Sequence, residues 1–455
     1  MPPMTTLTWN DLPSHPTRWW GLPVLAAMRR DYLAVIAAQR PLGDLVRQRI
    51  LGERGVDVFD PELLRAALVD HADALVRWER GPEVFAELMG QSVLVTEGAT
   101  WQRQRRMLMQ AFTPRRVAGY AALMTEAATA ALADVQDGEV AMDALFSHLT
   151  MDVISRTLFS TPIGNDTAAA AHAVQVLSET ALAEMFWPVT LPDWLPLPGK
   201  AAKRGAHRLM HGLLGGHIAA RRASGEAKPD LLGMLMALRD DATGEGLSPQ
   251  EVYDQCMVSF QAGHETSATA LLWWSWLMAA HPEAQARARA EVDTALAGRA
   301  PGADDLPALP YLGATLKEAM RLYPPVAAVM TRRLTREITL GGVRLPARTL
   351  VRVTPWLLHR DPRWWPDAPL GFKPERFLPG APDEIPRGAY IPFGLGPRVC
   401  LGQHFAVLEM TLIAALVLQR FEMRPVGTEP PKPRMAVTLR PDGGLRLNLT
   451  ARRPA

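Results

Sequence analysis

The stretch of the sequence that decides the fold reads Phe393-Gly394-Leu395-Gly396-Pro397-Arg398-Val399-Cys400-Leu401-Gly402. Two glycines and a proline precede Cys400, which predicts a tight turn whose backbone comes close to its neighbour. We expect Cys400 at the start of a final helix that runs to Arg420, where the helix dipole and free N–H groups stabilise a thiolate. A lone cysteine is more often a small buried hydrophobe. Here the glycines, the proline and the nearby Arg398 all suit a thiolate that is held by the loop, and this favours Cys400 as a metal ligand.

The composition is that of an ordinary globular protein. The chain has 455 residues, of which 48% are hydrophobic and 21% charged. Its 49 basic and 47 acidic residues give a net charge of +2, and no basic run argues for nucleic-acid binding. Cys256 and Cys400 lie in very different stretches, so no disulfide framework is predicted and a reducing compartment fits best. We find no signal peptide and no apolar run long enough to span a bilayer. We therefore expect a cytoplasmic protein without a transmembrane anchor.

The longest helical pattern begins with a helix-capping sequence. Ser248 is a good N-cap, Pro249 fits the first turn, and Glu251 completes a capping box. The pattern continues to about Ala280 and is ended by His281-Pro282. At ~1.5 Å per residue this helix would be about 50 Å long. Because its second half is apolar nearly all round, we expect it to be central and buried. Cys256 and the tryptophans near residue 274 are read as part of that core.

The remaining patterns indicate a mainly α protein with a minor β-sheet built from both ends of the chain, in a single domain over residues 1–455. A hairpin is predicted at 338–345 and a strand at 349–354. The apolar, proline-rich segment 186–198 is expected to pack onto the body of the protein rather than to contact substrate or a membrane. Asp60 before Pro61 predicts a helix start. Further helices are predicted at 102–109, 119–134 (with Arg and Ala exposed), 168–185, 201–224, 282–296 and 311–322.

Two further motifs carry possible chemistry. Glu318 and Arg321 share one helix face at i and i+3 and can pair there. The run 262–266 reads Ala-Gly-His-Glu-Thr midway along the long helix. In that run an acid beside a threonine suits proton transfer, although Thr266 could simply bond within its own helix. His264 is read as structural or solvent-facing and not as a ligand.

These motifs, in this order, resemble the cytochrome P-450 superfamily. Its haem-binding loop has the pattern Phe-x-x-Gly-x-Arg-x-Cys-x-Gly, and the resemblance spans from about Leu94 to the C-terminus. It implies the mainly α cytochrome P-450 fold with a minor β-sheet, and haem b as cofactor. It also implies that Cys400 is the thiolate ligand of the iron, which favours O–O cleavage. The reaction implied is insertion of one oxygen atom from O₂ into an apolar small molecule, by hydroxylation or epoxidation.

The resemblance also implies roles for individual residues. Thr266 and Glu265 would serve proton delivery. Glu318, Arg321 and Arg376 would form a structural ion-pair network that holds the coil leading to Cys400. The residues implied to contact the haem are Phe393, Gly394, Arg398, Trp101, Arg105, Arg332 and Ala262. The residues implied to line the substrate pocket are Val326, Ala327, Ala328, Val329, Ala262 and Leu94.

The apolar character of these lining positions predicts an apolar pocket. Fatty acids, terpenoids or carotenoids, and polyketide-like molecules stay open as substrates. With no reductase fused to the chain, we expect electrons from a ferredoxin and its reductase, or another external donor, docking on the surface near Cys400. Two alternatives are a peroxide-driven peroxygenase on the same fold and a non-catalytic haem-binding protein.

Overall fold

The computed structural model describes residues 7–15, 17, 19–161, 166–187, 191–328, 330–381 and 384–452. Helices dominate the described chain, and strands are short. The helices are α1 (Leu22–Arg30), α2 (Tyr32–Ala37), α3 (Pro61–Arg65), α4 (Arg80–Met89), α5 (Gly98–Ala111), α6 (Pro114–Ala118), α7 (Ala121–Ala133), α8 (Met142–Phe159), α9 (Thr167–Met185), α10 (Lys200–Ser224), α11 (Leu231–Ala237), α12 (Pro249–Ala280), α13 (Pro282–Leu296), α14 (Pro310–Leu322), α15 (Pro355–Leu358) and α16 (Gln403–Arg420).

Among the described residues, the strands form four small sheets. The strands are β1 (Leu7–Thr8), β2 (Leu45–Ile50), β3 (Glu53–Val58), β4 (Leu75–Arg77), β5 (Gly138–Ala141), β6 (Met330–Leu334), β7 (Ile338–Leu340), β8 (Val343–Leu345), β9 (Leu350–Val353), β10 (Phe421–Pro425), β11 (Pro433–Met435), β12 (Leu439–Pro441) and β13 (Arg446–Ala451). Their orders are β1-β8-β7, β2-β3-β9-β6-β4, β10-β13-β5 and β11-β12. The mainly α class is confirmed, and the minor β structure is divided over four sheets rather than joined in one.

The long helix α12 has the predicted bounds. Ser248 Oγ accepts from the Glu251 N–H at 3.2 Å, and Glu251 Oε2 accepts from the Ser248 N–H at 2.8 Å, which is a capping box. The helix ends at Ala280, before His281-Pro282. Its second half is buried as expected, with Trp273 and Trp274 at 0% exposure. Cys256 is buried too, and burial raises the pKa of its thiol.

The chain divides into two compact units, each assembled from several segments. The first contains residues 1–82, 321–372 and 382–400. Its core is apolar and includes Val56, Leu64 and Val351. In its five-stranded sheet β3 and β9 run parallel, with Val56 opposite Val351, whereas the other neighbours are antiparallel. The sequence prediction of a single domain stays a prediction.

The second unit contains residues 83–320, 373–381 and 401–455. Within it α8 packs against α12. Gly263 makes this approach possible, because a β-carbon there would lie 3.0 Å from Ile154 Cδ1. In α7 the expected exposure of alanines is wrong for Ala127 and Ala128, which are fully buried. Small side chains allow helices to pack closely, so an alanine-rich face need not face water.

The apolar segment 186–198 does not pack as expected. Residues 188–190 lie outside the described part of the chain. Trp194 is 75% exposed, and Trp187 and Leu197 are also exposed. Instead, polar groups hold the described part of the segment. Lys200 Nζ donates to the Leu191 carbonyl at 2.8 Å and to Asp193 Oδ1 at 2.6 Å. The packing interpretation is therefore wrong for these apolar side chains.

No helix among the described residues combines the length and the apolar character needed to cross a membrane.

Candidate functional site

The loop before Cys400 is shaped by two glycines with positive φ. Gly394 has φ +81° and Gly396 has φ +77°. A β-carbon on Gly396 would collide with the carbonyl of Leu68, which lies in a π-helical turn over Ala66–Asp70. Only glycine combines this conformation with such a close backbone approach. The sequence prediction of a tight turn with a close neighbour is confirmed.

Cys400 itself lies at the end of this loop with an exposed side chain. Its N–H donates to the Phe393 carbonyl at 2.9 Å, and the Val399 N–H donates to the Gly396 carbonyl at 3.0 Å. The prediction that Cys400 begins the helix is wrong, because α16 begins at Gln403 with Gly402 as N-cap. The N–H of Cys400 already donates to the Phe393 carbonyl, so it is not one of the unpaired N–H groups at the start of a helix. The loop therefore fixes the position of the thiol more directly than the helix does.

The other residues of this loop that we expect to contact the haem also belong to the first unit. Phe393 and Arg398 are partly buried. A β-carbon on Gly394 would lie 3.3 Å from Met330 Cε, so the loop also runs close to β6. A partly buried guanidinium with a planar donor fork suits a carboxylate such as a haem propionate.

Arg332 is distinguished from its neighbouring arginines by their partners. Arg333 pairs with Glu53 at 2.8 Å and with Glu79 at 2.7 Å. Arg336 pairs with Asp73 at 2.6 Å. Arg332 is partly buried on β6, and its Nη1 donates to the Thr331 carbonyl at 3.1 Å. A planar, partly buried guanidinium of this kind suits a carboxylate, and Arg332 stays a candidate for contact with a haem propionate.

Arg321 is fully buried and holds three backbone carbonyls of the first unit. It donates to the carbonyls of His359 at 2.8 Å, Pro369 at 2.7 Å and Gly371 at 3.0 Å. A buried guanidinium needs such partners, since leaving its donors unpaired would be costly. Arg321 therefore fixes the coil that follows α15.

Glu318 and Arg376 lie together in the second unit. Glu318 is fully buried, and its Oε1 lies 3.4 Å from Arg376 Nε. The same oxygen accepts from the Lys373 N–H at 2.9 Å. This arrangement anchors the segment 373–377, and a structural role for Glu318, Arg321 and Arg376 stays our interpretation.

The motif at 262–266 lies where α12 is accessible on one side. Ala262 is exposed, and Gly263 and Thr266 are partly so, although most of the neighbouring helix is buried. Thr266 Oγ1 donates to the Ala262 carbonyl at 2.7 Å. This is the bond within its own helix that the sequence left open. Because Ala262 is exposed, the threonine hydroxyl bonded to its carbonyl lies near the accessible side of the helix.

The side chain of Glu265 contacts residues that could not be predicted from its neighbours in the sequence. The carboxylate is buried, and it accepts hydrogen bonds from Ser178 Oγ at 2.5 Å and Thr438 Oγ1 at 2.7 Å. Arg440 Nη2 lies 3.3 Å from Glu265 Oε1. Sequence reasoning missed Ser178, Thr438 and Arg440. They lie far from Glu265 in the chain, and no spacing rule connects them.

His264 is buried, and therefore not solvent-facing. Burial, with a smaller effect from the Arg440 guanidinium, lowers the pKa of this imidazole to about 3. The ring is thus neutral at physiological pH. Of the two roles that the sequence allowed for His264, structural or solvent-facing, the structural role therefore stays.

Trp101 and Arg105 lie one turn apart on α5, and both are partly buried. Leu94, also partly buried, belongs to a segment fastened to α12. The Gln91 N–H donates to Asp254 Oδ2 at 2.8 Å and the Val93 N–H to Gln255 Oε1 at 3.1 Å. The helix α12 therefore orders the backbone beside Leu94.

The predicted pocket residues after α14 differ in exposure. Val326 is partly exposed, whereas Ala327 and Ala328 are at 2% and 1% exposure. Val329 lies outside the described residues. Of the described three, Val326 is therefore the residue best placed to contact a ligand.

Comparison with known proteins defines the class. The cytochrome P450 family model matches residues 13–448, and the chain belongs to this family. Cyclooctatin synthase of Streptomyces melanosporofaciens is 37% identical, over 93% of this chain and 95% of its own. Cyclooctat-9-en-7-ol 5-monooxygenase of the same organism is 35% identical, over 88% and 87%. Pentalenene oxygenase of Streptomyces avermitilis is 32% identical, over 94% of each chain.

The protein is therefore a P450 monooxygenase with haem b as cofactor, and it uses O₂ and external electron donors to oxidise a small molecule. The residues present fit the haem. In the first unit an exposed thiol ends a glycine loop with two positive φ angles, which suits a thiolate ligand of iron. In the same unit Arg332 and Arg398 are partly buried, and guanidinium groups suit propionate carboxylates.

Proposed function

We propose that this monooxygenase oxidises a terpenoid. The observation that carries the proposal is that three relatives, matched over nearly the whole chain, are named for cyclooctatin, cyclooctat-9-en-7-ol and pentalenene. The apolar exposed side chains of Ala262 and Val326 are compatible with such a substrate. Of the substrate classes open from the sequence, terpenoids thus have the most support.

The test is a binding titration that follows the haem absorption spectrum of the ferric holoenzyme. Pentalenene and cyclooctat-9-en-7-ol serve as terpenoid probes, with lauric acid and a macrolactone as matched apolar controls. We expect a saturable spectral shift with at least one terpenoid at a concentration tenfold or more below that of the controls. Tighter binding of lauric acid or the macrolactone would contradict the terpenoid assignment.

We propose that Cys400 is the iron ligand. When bound, the haem supplies the activation of O₂. Cys400 would hold the iron as a thiolate, and Arg105, Arg332, Arg398 and Trp101 would hold the propionates. Replacing Cys400 with His should abolish the thiolate-type spectrum of the reduced carbon monoxide complex. Replacing the buried Cys256 with Ala should preserve it. A thiolate-type spectrum in C400H would refute the assignment.

We propose that Thr266 and Glu265 hold and transfer protons for the reaction. An acid next to a hydroxyl suits proton delivery, and this pair favours O₂ over peroxide as oxidant. Product formation with peroxide but never with NADH and redox partners would instead indicate a peroxygenase. Absence of turnover with either oxidant, alongside tight ligand binding, would indicate a haem-binding protein.

We propose a ferredoxin and its reductase as the electron donors, and one catalytic domain formed by residues 1–455. The docking surface near Cys400 would use basic side chains against an acidic partner. Reduction by a ferredoxin should therefore slow as ionic strength rises. Salt-independent reduction would count against this surface. A cytoplasmic location stays a prediction from cysteine usage.

A further inference from the structure

The carboxylate of Glu265 joins three elements of the second unit. It lies on α12, Ser178 lies on α9, and Thr438 and Arg440 belong to the C-terminal hairpin β11–β12 and its turn. Ser178 Oγ donates to one carboxylate oxygen, and Thr438 Oγ1 donates to the other. Arg440 Nη2 approaches the second oxygen at 3.3 Å. A buried carboxylate needs this many partners, because an unpaired one would be costly to keep charged.

The hairpin is held in place independently of Glu265. Trp273 Nε1, about two turns further along α12, donates to the Leu439 carbonyl at 2.6 Å. Leu439 lies between Thr438 and Arg440 in the chain, so this bond holds both side chains against the helix. Arg440 Nε also donates to Thr438 Oγ1 at 3.3 Å. Thr438 and Arg440 are thus held against α12 by contacts that do not involve Glu265.

Arg440 connects the buried carboxylate to solvent. Its side chain is 23% exposed, whereas that of Glu265 is 6% exposed. Successive residues on a helix point about 100° apart. The Glu265 carboxylate therefore lies on the hairpin side of α12, while the Thr266 hydroxyl lies next to the exposed Ala262. Where the carboxylate stands relative to Thr266 depends on the groups that hold it.

We propose that Arg440, Thr438 and Ser178 are positioning residues for Glu265. They hold its carboxylate in one position on the hairpin side of α12, and so set how well it serves proton delivery. The C-terminal hairpin is then part of the reaction apparatus as well as of the fold. This inference rests on the proposed role of Glu265 itself.

The test measures the fraction of consumed O₂ that the holoenzyme releases as hydrogen peroxide during NADH-driven turnover with a ferredoxin and its reductase. Turnover is run with any probe that gives a saturable spectral shift in the titration above, terpenoid or control, so the test is independent of the terpenoid proposal. Failure of proton delivery raises this fraction. We expect Arg440→Gln and Thr438→Val to raise it severalfold, and Arg440→Lys to restore most of the wild-type value because it keeps the charge.

The matched control is Arg434→Gln on the same hairpin. Arg434 is exposed and lies opposite Arg440 across the hairpin, but its guanidinium pairs with Glu179 at 3.6 Å and Asp442 at 3.5 Å rather than with Glu265. This variant should behave as wild type. A general disturbance of the hairpin would raise the peroxide fraction of R434Q as well, and that result would overturn the inference.

The double variant separates positioning from folding. If Arg440 acts through Glu265, then R440Q adds nothing to E265Q. In urea unfolding of the holoenzyme, the losses in the free energy of unfolding caused by E265Q and R440Q should not add in the double variant. Those caused by E265Q and R434Q should add. Full additivity in both measurements would overturn the inference.

The outcome also separates this inference from the proposed function. If E265Q leaves the peroxide fraction unchanged, the role of Glu265 fails, and the inference fails with it. If E265Q raises the fraction while R440Q and T438V match wild type, the role of Glu265 stands and the positioning inference is wrong. T438V, which keeps the shape of the side chain, also provides an answer if R440Q does not fold.

Discussion

The carbonyl oxygen of Leu68 lies so close to Gly396 that no β-carbon could be placed on residue 396. The two residues come from distant parts of the first unit. Their contact holds the loop before Cys400 against the π-helical turn at Ala66–Asp70. The position of the thiol thus depends on a backbone contact as well as on the conformation of the loop.

Gly396→Ala should destabilise the protein and weaken its hold on the haem. The left-handed backbone alone costs about 1–2 kcal/mol in a residue with a β-carbon, and the collision with Leu68 adds to it. We expect a loss of at least 3 kcal/mol in the free energy of unfolding. Urea unfolding measures the loss of stability. The amplitude of the carbon monoxide spectrum of the reduced protein measures how much haem stays bound.

The control for this prediction is Gly427→Ala. Gly427 also has a positive φ, of +83°, but a β-carbon there would meet no atom within 4 Å. G427A should therefore show the conformational cost alone and leave the carbon monoxide spectrum unchanged. Equal losses in the two variants would mean that the Leu68 contact contributes nothing.

Thr266→Ala should lower the share of NADH that ends in oxidised product by 10-fold or more, as expected for loss of a group in proton transfer. Thr294→Ala is a matched control, because Thr294 Oγ1 donates to the Ala290 carbonyl at 2.8 Å within α13 in the same way. Coupling is measured as product formed per NADH consumed. An unchanged ratio in T266A would remove Thr266 from the mechanism.

His264 should make the protein less stable as the pH falls below 6.5. Burial holds the pKa of this imidazole at about 3 in the folded chain, below its ordinary value of 6.5. Between pH 6.5 and pH 3 the imidazole therefore binds a proton in the unfolded chain but not in the folded chain. The free energy of unfolding falls by ~1.4 kcal/mol for each unit that the pH decreases in this range. We expect His264→Gln to remove this slope between pH 6.5 and 5 in urea unfolding. The exposed His172→Gln should retain it.

Glu409 should have the opposite effect. Burial raises the pKa of its carboxyl from 4.5 to about 8. The folded chain then keeps a proton that the unfolded chain loses, so stability is full below pH 4.5 and declines as the pH rises to 8. Glu409→Gln should gain stability over wild type between pH 5 and 7.5. The exposed Glu429→Gln should follow wild type, and a parallel pH profile for E409Q would contradict the pKa shift.

Most elements could be predicted from the sequence because their signals are local. The capping residues Ser248 and Glu251 and the stop at His281-Pro282 set the bounds of α12. The hairpin at 338–345 was predicted too and occurs as β7 and β8. The start of α16 was placed too early, because the glycine-rich loop carries no signal that distinguishes a turn from a first helical residue.

The sequence by itself determined the class of this protein, through Cys400 and the order of its motifs. Only the tertiary structure decided which groups surround them. Ser178 and Thr438 are separated from Glu265 by 87 and 173 residues, and the exposure of Trp194 has no local signal. Helix caps and turns depend on a few adjacent residues. The partners of a buried charge depend on how distant segments pack, and that packing is a property of the whole fold.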